Sequence, residues 1–303
     1  MIVVVGTPTE DPVALLLAEA AQAGIEAVVL DESRAGEWNL QVDGGGQGLV
    51  ARAVVAGREI DLESATGVYL RLTSPRVSGA VPDPLQQARH AAALGLVTAW
   101  ADATAVRVAN RPRAMASNGS KPYQAALIRS LGLAVPPTLV TNDPDAARRF
   151  RAEHGRVVYK SISGVRSIVH ELTDQRSGAL DRVRHLPTQF QRLLEGTNVR
   201  AHVVGDEVFA CRIDADTIDY RYREGTDGAT MTPTALPAAM AERCVAVARA
   251  LNLPLAGIDL FHDLDDQWWC FEVNPSPAYS CFEEPTGLPI AAALARWLAA
   301  GAE

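Results

Sequence analysis

The chain has 303 residues, of which 48% are hydrophobic and 21% charged, and its formal net charge is -8. That balance belongs to a chain that buries a core, and the length suits two or three small domains better than one. The acidity argues against a nucleic-acid partner, which would call for a basic surface, but leaves room for a nucleotide, which needs only a few well-placed cations. No run reaches the roughly 20 apolar residues of a membrane span, so no membrane association is expected. Met1-Ile2-Val3-Val4-Val5 lacks the basic start of a signal peptide. Cys211, Cys244, Cys270 and Cys281 lack metal-ligand spacing and read as apolar fillers of a reducing compartment, so the expected location is cytoplasmic.

Along the chain, Ile2 to Val5 reads as a strand ending at Gly6, and Asp11-Pro12 opens a helix carrying Val13, Leu16, Leu17 and Ala20 on one face. Gly24 ends that helix before a second strand, Ile25 to Leu30. This βαβ start predicts a small parallel sheet, to which Gly67 to Arg71 adds a strand. Gly6 is not part of a GxGxxG pattern. Gly44-Gly45-Gly46 reads as a turn between two strand-like stretches rather than a phosphate cradle. Leu85 to Ala103 is alanine-rich and predicted helical. Beyond Asn110, Ser120 precedes a helix with Pro122 in its first turn, and Gly132 closes it. Asn142-Asp143-Pro144 caps a further helix, and strands follow around Val157 to Lys160 and Ser167 to Leu172.

The most informative chemistry lies near the C-terminal end. Leu255 to Phe261 and Trp268 to Asn274 read as strands joined by a polar link. If the loop is Leu264 to Gln267, Asp259 falls opposite Glu272, and strand alternation puts Cys270, Glu272 and Asn274 on one face. Two carboxylates this close repel, and a divalent cation relieves the conflict. Asp259, Glu272 and Asn274 offer oxygen donors only, which suits magnesium. The residues alone leave two readings open, a cation site or a solvated hairpin face.

From Glu272-Val273-Asn274-Pro275 onward the sequence resembles the ATP-grasp superfamily, in particular the RimK-type glutamate ligases and the microviridin-type (graspetide) peptide maturases. Gly257-Ile258-Asp259 and Thr286-Gly287-Leu288-Pro289-Ile290 strengthen the likeness, which runs from about Asn118 to Leu298. The resemblance implies an α/β chain, α+β in its C-terminal part, with an ATP-grasp fold behind a parallel-sheet pre-ATP-grasp domain. Its divisions would be 1–110, 111–186 for the lid and central subdomain, and 187–303 with the magnesium site.

The same resemblance assigns Lys121 and Lys160 to ATP phosphates, Ser163 and Gly164 to a short phosphate-covering loop, and Gln191, Arg192 and Leu193 to a hinge that reads adenine. Asn198 stands where many relatives carry an acid, as does Arg192. Arg200, Arg221 of Asp219-Tyr220-Arg221, and Arg212 would face the transferred phosphate. The implied cofactors are ATP and Mg2+, as two ions held by Asp259, Glu272 and Asn274. The implied chemistry is carboxylate activation as an acyl phosphate, then attack by an amine or hydroxyl to give an amide or ester. No Ser-His-Asp or Cys-His pattern competes with it. His202 is a candidate general base, with a core histidine as the plainer reading. A peptide substrate is favoured over a small carboxylate or amine, the alternative being a RimK-like amino-acid ligase that adds residues to a protein or small molecule. A non-catalytic ATP-binding regulator stays open, and a homo-oligomer is expected from the relatives.

Overall fold

The run Ile2–Gly6 (β1) is buried along its whole length, because a parallel strand covered on both faces needs apolar side chains in both directions. The computed structural model describes residues 1–44, 50–73, 83–162, 169–178, 180–215 and 229–301. Gly45, Gly46, Ser163, Gly164 and the Asp219-Tyr220-Arg221 element lie outside these. β1 pairs in parallel with Ala27–Asp31 (β2) and, after the hairpin described next, with Gly67–Leu70 (β6). Between β2 and β6, Asn39–Asp43 (β3), Val50–Val55 (β4) and Arg58–Asp61 (β5) form an antiparallel sheet. The β4–β5 turn uses Ala56 and Gly57, both at positive φ. Arg107–Ala109 (β7) completes the parallel sheet, in the order β2-β1-β6-β7.

Alternation along β1 divides two cores. Ile2 and Val4 pack with Asp11–Gln22 (α1) and the C-terminal helix, through Val13, Leu16 and Leu298. Val3 and Val5 pack under the small antiparallel sheet and Pro84–Ala103 (α2), through Val97 and Trp100. Gly67 is required where the C-terminal helix crosses β6: a Cβ there would lie 2.8 Å from the Leu298 Cα.

After the short helix Pro112–Met115 (α3) comes Lys121–Ser130 (α4). A second, antiparallel sheet then has the order β10-β9-β11-β8, from Thr138–Thr141 (β8), Val157–Ser161 (β9), His170–Glu171 (β10) and Thr188–Arg192 (β11). Pro144–His154 (α5), capped by the Asp143 side chain, covers it through Ala147 against Val157 and Phe190. The turn of helix Asp174–Ser177 (α6) follows β10. The third sheet, order β14-β13-β12-β15-β16, comprises Gly196–Val204 (β12), Glu207–Asp214 (β13), Thr230–Thr234 (β14), Leu255–Asp263 (β15) and Trp268–Asn274 (β16). One of its faces packs on α4 and on Ala238–Ala250 (α7) through Ile128, Cys244, Val247, Ile258 and Val273. The chain ends with Ser280–Thr286 (α8) and Ile290–Ala299 (α9), the latter buried through Ile290, Leu294 and Leu298. The parallel start followed by antiparallel sheets matches the expected mixed α/β class. No helix among the described residues is long and apolar enough to cross a membrane.

Candidate nucleotide and cation site

The face of the third sheet away from α7 meets the second sheet across a cavity of about 440 Å³, within the range of small-molecule sites. Lys160 reaches it from β9. Gln191, Arg192, Leu193, Leu194 and Glu195 supply the strand and link into β12, Asn198 comes from β12, and Asp259 and Glu272 come from β15 and β16. Seven residues expected from the sequence therefore converge on one cavity.

Asp259 and Glu272 are direct partners across the β15–β16 ladder, as expected, but the register arises differently. His262 pairs with Trp268, one step from the simple four-residue loop, and a bulge at Phe271 restores the alignment below it. The bulge corrects one expectation. Cys270 does not share the Glu272 face; it turns into the core beside Ile258, Leu260 and Val273, while Phe271 and Glu272 line the cavity. Burial drives the Cys270 thiol well above its usual range, and the buried Cys211 and Cys244 thiols to about 11 and about 12. Cys281 is exposed, against its reading as a filler.

Each carboxylate is met by a cation. The Arg200 guanidinium, on the strand beside β15, contacts Asp259 Oδ1 at 2.5 Å and is almost fully buried. It lies over the backbone of Gly257, where a Cβ would come within 2.6 Å of the guanidinium carbon, which gives the glycine of Gly257-Ile258-Asp259 its physical reason. Phe282 packs beneath the same guanidinium, 5.2 Å from its ring centre. Lys121 Nζ, at the start of α4, stands 3.5 Å from Glu272 Oε2. Asn274, opposite Gly257, follows Glu272 on the same face, and its Oδ1 accepts the Ser276 N–H at 2.9 Å.

This donor set fits a hard divalent cation. The two carboxylates face each other across the ladder with Asn274 two residues beyond Glu272, both carboxylates are about one-fifth exposed, and each has a cation beside it. Among the described residues no three acid, histidine or cysteine side chains cluster; magnesium held through one or two carboxylates keeps phosphate and water as its other ligands.

The hinge differs in detail from the expectation. The Arg192 N–H donates to the Pro137 carbonyl at 3.0 Å and the Leu193 N–H to the Arg156 carbonyl at 2.9 Å, so both donors are taken. The Leu194 N–H makes no backbone hydrogen bond among the described residues, and Leu194 lines the cavity. Arg156 was not legible as a site residue. It ion-pairs with Glu171 at 2.8 Å and Glu195 at 2.7 Å at the cavity mouth, and these bonds hold its proton more tightly than usual.

Arg212 does not join the site. It lies on the opposite face of β13 from the cavity-lining Ile213, exposed, and pairs with Asp214 at 2.9 Å. His202 is fully buried against Phe282, with Nε2 accepting from Arg200 Nε at 3.4 Å. Burial first, and Arg200 second, keep it neutral, as the plainer reading had it.

Comparison with known proteins gives the family. Residues 122–298 match the RimK-like ATP-grasp domain. The ribosomal protein bS6–L-glutamate ligase of Escherichia coli is 28% identical over 202 residues, 62% of this chain and 66% of the ligase, so the chain spans about two thirds of that relative's length. The ATP-grasp ligase PsnB, solved with a minimal precursor, superposes with a TM-score of 0.79 at 31% identity, over 98% of this chain and 97% of PsnB. The macrocyclase MdnC from Microcystis aeruginosa MRC, solved with the precursor peptide MdnA, shares the fold at a TM-score of 0.80 and 19% identity, over 98% and 99% of the two chains. The chain belongs to the RimK-like ATP-grasp family.

Proposed function

We propose that this chain is an ATP-dependent ligase that activates a carboxylate of a peptide as an acyl phosphate and joins it to an amine or hydroxyl. The observation that carries the reading is the Arg200–Asp259 and Glu272–Lys121 arrangement at the floor of a cavity whose other wall is the Gln191–Glu195 hinge. In this reading adenine lies against Leu193 and Phe271, with the Leu194 N–H toward its edge and Asn198 near the ribose. Lys160 and Lys121 face phosphate oxygens as point charges. Asp259, Glu272 and Asn274 hold Mg2+, as two ions, and the metal supplies charge neutralisation for the phosphates when bound.

A carboxylate oxygen of the substrate attacks the γ-phosphorus, the bond to ADP breaks, and acyl phosphate forms. The amine or hydroxyl then attacks the acyl carbon, phosphate leaves, and the acceptor's proton passes to solvent. Arg200 places a fixed, buried positive charge beside the reacting phosphate, where preorganised charge counts most. Arg221 shares this role on the strength of its sequence match alone.

A peptide substrate is favoured over a free amino acid because PsnB, the relative solved with a precursor, aligns over nearly its full length, and the glutamate ligase over about two thirds. The division into 1–110, 111–186 and 187–303, a cytoplasmic setting and a homo-oligomer belong to the same proposal. Oxygen-isotope transfer tests the activation step. With the substrate carboxylate labelled, label appears in the released phosphate. Label retained wholly in the peptide, while ADP forms, contradicts the acyl phosphate.

A further inference from the structure

β16 is the edge strand of its sheet, so the backbone groups on its outer side need partners from elsewhere. Two buried amide side chains provide them beside the candidate cation ligands. Gln124 Nε2, on α4, donates to the Val273 carbonyl at 2.7 Å, and the Val273 N–H donates back to Gln124 Oε1 at 3.0 Å. One side chain thus satisfies both backbone groups of the residue between Glu272 and Asn274, as a neighbouring strand would. Asn110 does the corresponding job at the open end of the hairpin. Its Nδ2 donates to the Leu255 and Pro275 carbonyls, both at 2.6 Å, and its Oδ1 accepts the Leu255 N–H at 3.1 Å. Leu255 begins β15, and Pro275 follows Asn274. Gln124 and Asn110 are only 3% and 2% exposed, so water cannot replace either amide.

We infer that Gln124 and Asn110 are positioning residues of the cation site, fixing the direction in which Glu272 and Asn274 project into the cleft. The inference rests on the reading above, that these two residues and Asp259 hold a divalent cation. Side-chain direction on a strand follows the orientation of its peptide planes. With Gln124 in place, the Val273 peptide is held on both sides, and the residues flanking it keep their aim. Without it, both Val273 groups lose their partners, and the strand next to the Phe271 bulge is free to twist. The same helix that brings Gln124 also brings Lys121, one turn earlier, to within 3.5 Å of Glu272. Helix α4 therefore sets both the geometry and the counter-charge of one ligand. Outer residues that orient metal ligands are worth about 10- to 100-fold in metal affinity.

The test is Mn2+ binding in the presence of ADP, followed by electron paramagnetic resonance of the free ion. Gln124→Met keeps the volume and removes both hydrogen bonds. Ile128→Ala, in the core on the same helix, serves as a variant of comparable or greater stability loss that removes packing but no hydrogen bond to β16. The expected result is a dissociation constant raised about 10-fold or more for Q124M and unchanged for I128A. Gln124→Glu keeps the acceptor for the Val273 N–H, so it falls between wild type and Q124M, and it carries the test if Q124M does not fold. Equal Mn2+ affinity in wild type and the Gln124 variants overturns the inference, as does an equal loss in I128A. Absence of Mn2+ binding by the wild-type protein with ADP removes the cation reading itself, and the inference with it.

Discussion

Gly257→Ala is the smallest change that tests the geometry of the charged floor. Gly257 needs no positive φ, so the backbone tolerates alanine; the obstacle is contact. The new methyl group would lie 1.9 Å from Arg200 Nη2, 2.6 Å from the guanidinium carbon and 2.8 Å from Pro277 Cβ. Ordinary contacts begin near about 3.5 Å, so the guanidinium has to retreat by roughly 1.5 Å. The 2.5 Å bond to Asp259 then opens beyond hydrogen-bond reach. Arg200 is buried and cannot turn to water, so the loss approaches that of a broken buried pair, about 3 kcal/mol. For a chain of this size that is a fall of roughly 5 °C in the unfolding midpoint. If the guanidinium acts on the reacting phosphate, turnover drops roughly 100-fold as well. Gly95→Ala is the matched control, since a Cβ at that helical position meets nothing within 4 Å; it should stabilise by about 0.5–1 kcal/mol. Differential scanning calorimetry and coupled ADP release measure both effects. G257A with wild-type midpoint and wild-type turnover would refute the argument that Arg200 is held by steric fit against this strand.

Three further outcomes follow from single contacts. Glu272→Gln should lower ADP formation by about 100-fold or more at an unchanged unfolding midpoint, because its strand face is set by its neighbours; full activity removes Glu272 from the cation site. Tyr279→Phe removes the buried hydroxyl that donates to the Pro12 carbonyl at the start of α1, and should cost about 1–2 kcal/mol in urea denaturation; no loss contradicts a structural role for that bond. His202 stays neutral in the native state, with its pKa well below the ordinary 6.5, whereas the unfolded chain takes up the proton. Its contribution to stability is therefore full above about pH 6.5 and falls below it by about 1.4 kcal/mol per pH unit. His202→Gln should flatten that slope, and identical slopes in variant and wild type contradict the assignment.

Much of the fold was legible because its signals are local. The buried run Ile2–Gly6, the Asp11-Pro12 and Asp143-Pro144 helix starts, and the helix ending before Thr104 are set by burial, capping and propensity within a few residues. β5 was missed because its turn, Ala56-Gly57, places an alanine at positive φ where asparagine or glycine is the usual marker. β7, only three residues long, exists because a parallel neighbour is there to pair with it.

At the site, residue types pointed to Asp259 and Glu272, but nothing in the sequence shows a bulge at Phe271 that turns Cys270 away from them. Arg212 and Arg200 look alike in sequence. Paired-strand register decides between them: Arg200 lies across from Asp259, while Arg212 lies across from Val199 on the other face. Gln124, Asn110 and Arg156 act over long sequence separations, through backbone groups or partners that only the folded chain brings near.

The most direct test of the central claim is a stoichiometry. Wild-type protein, ATP and Mg2+ are incubated with a precursor peptide bearing acidic and hydroxyl or amine side chains, and ADP is counted against the peptide's mass. The account predicts one ADP for each water lost from the peptide, with both abolished in E272Q. ATP that binds and remains intact with every peptide offered contradicts it, and leaves a nucleotide-binding protein without ligase activity.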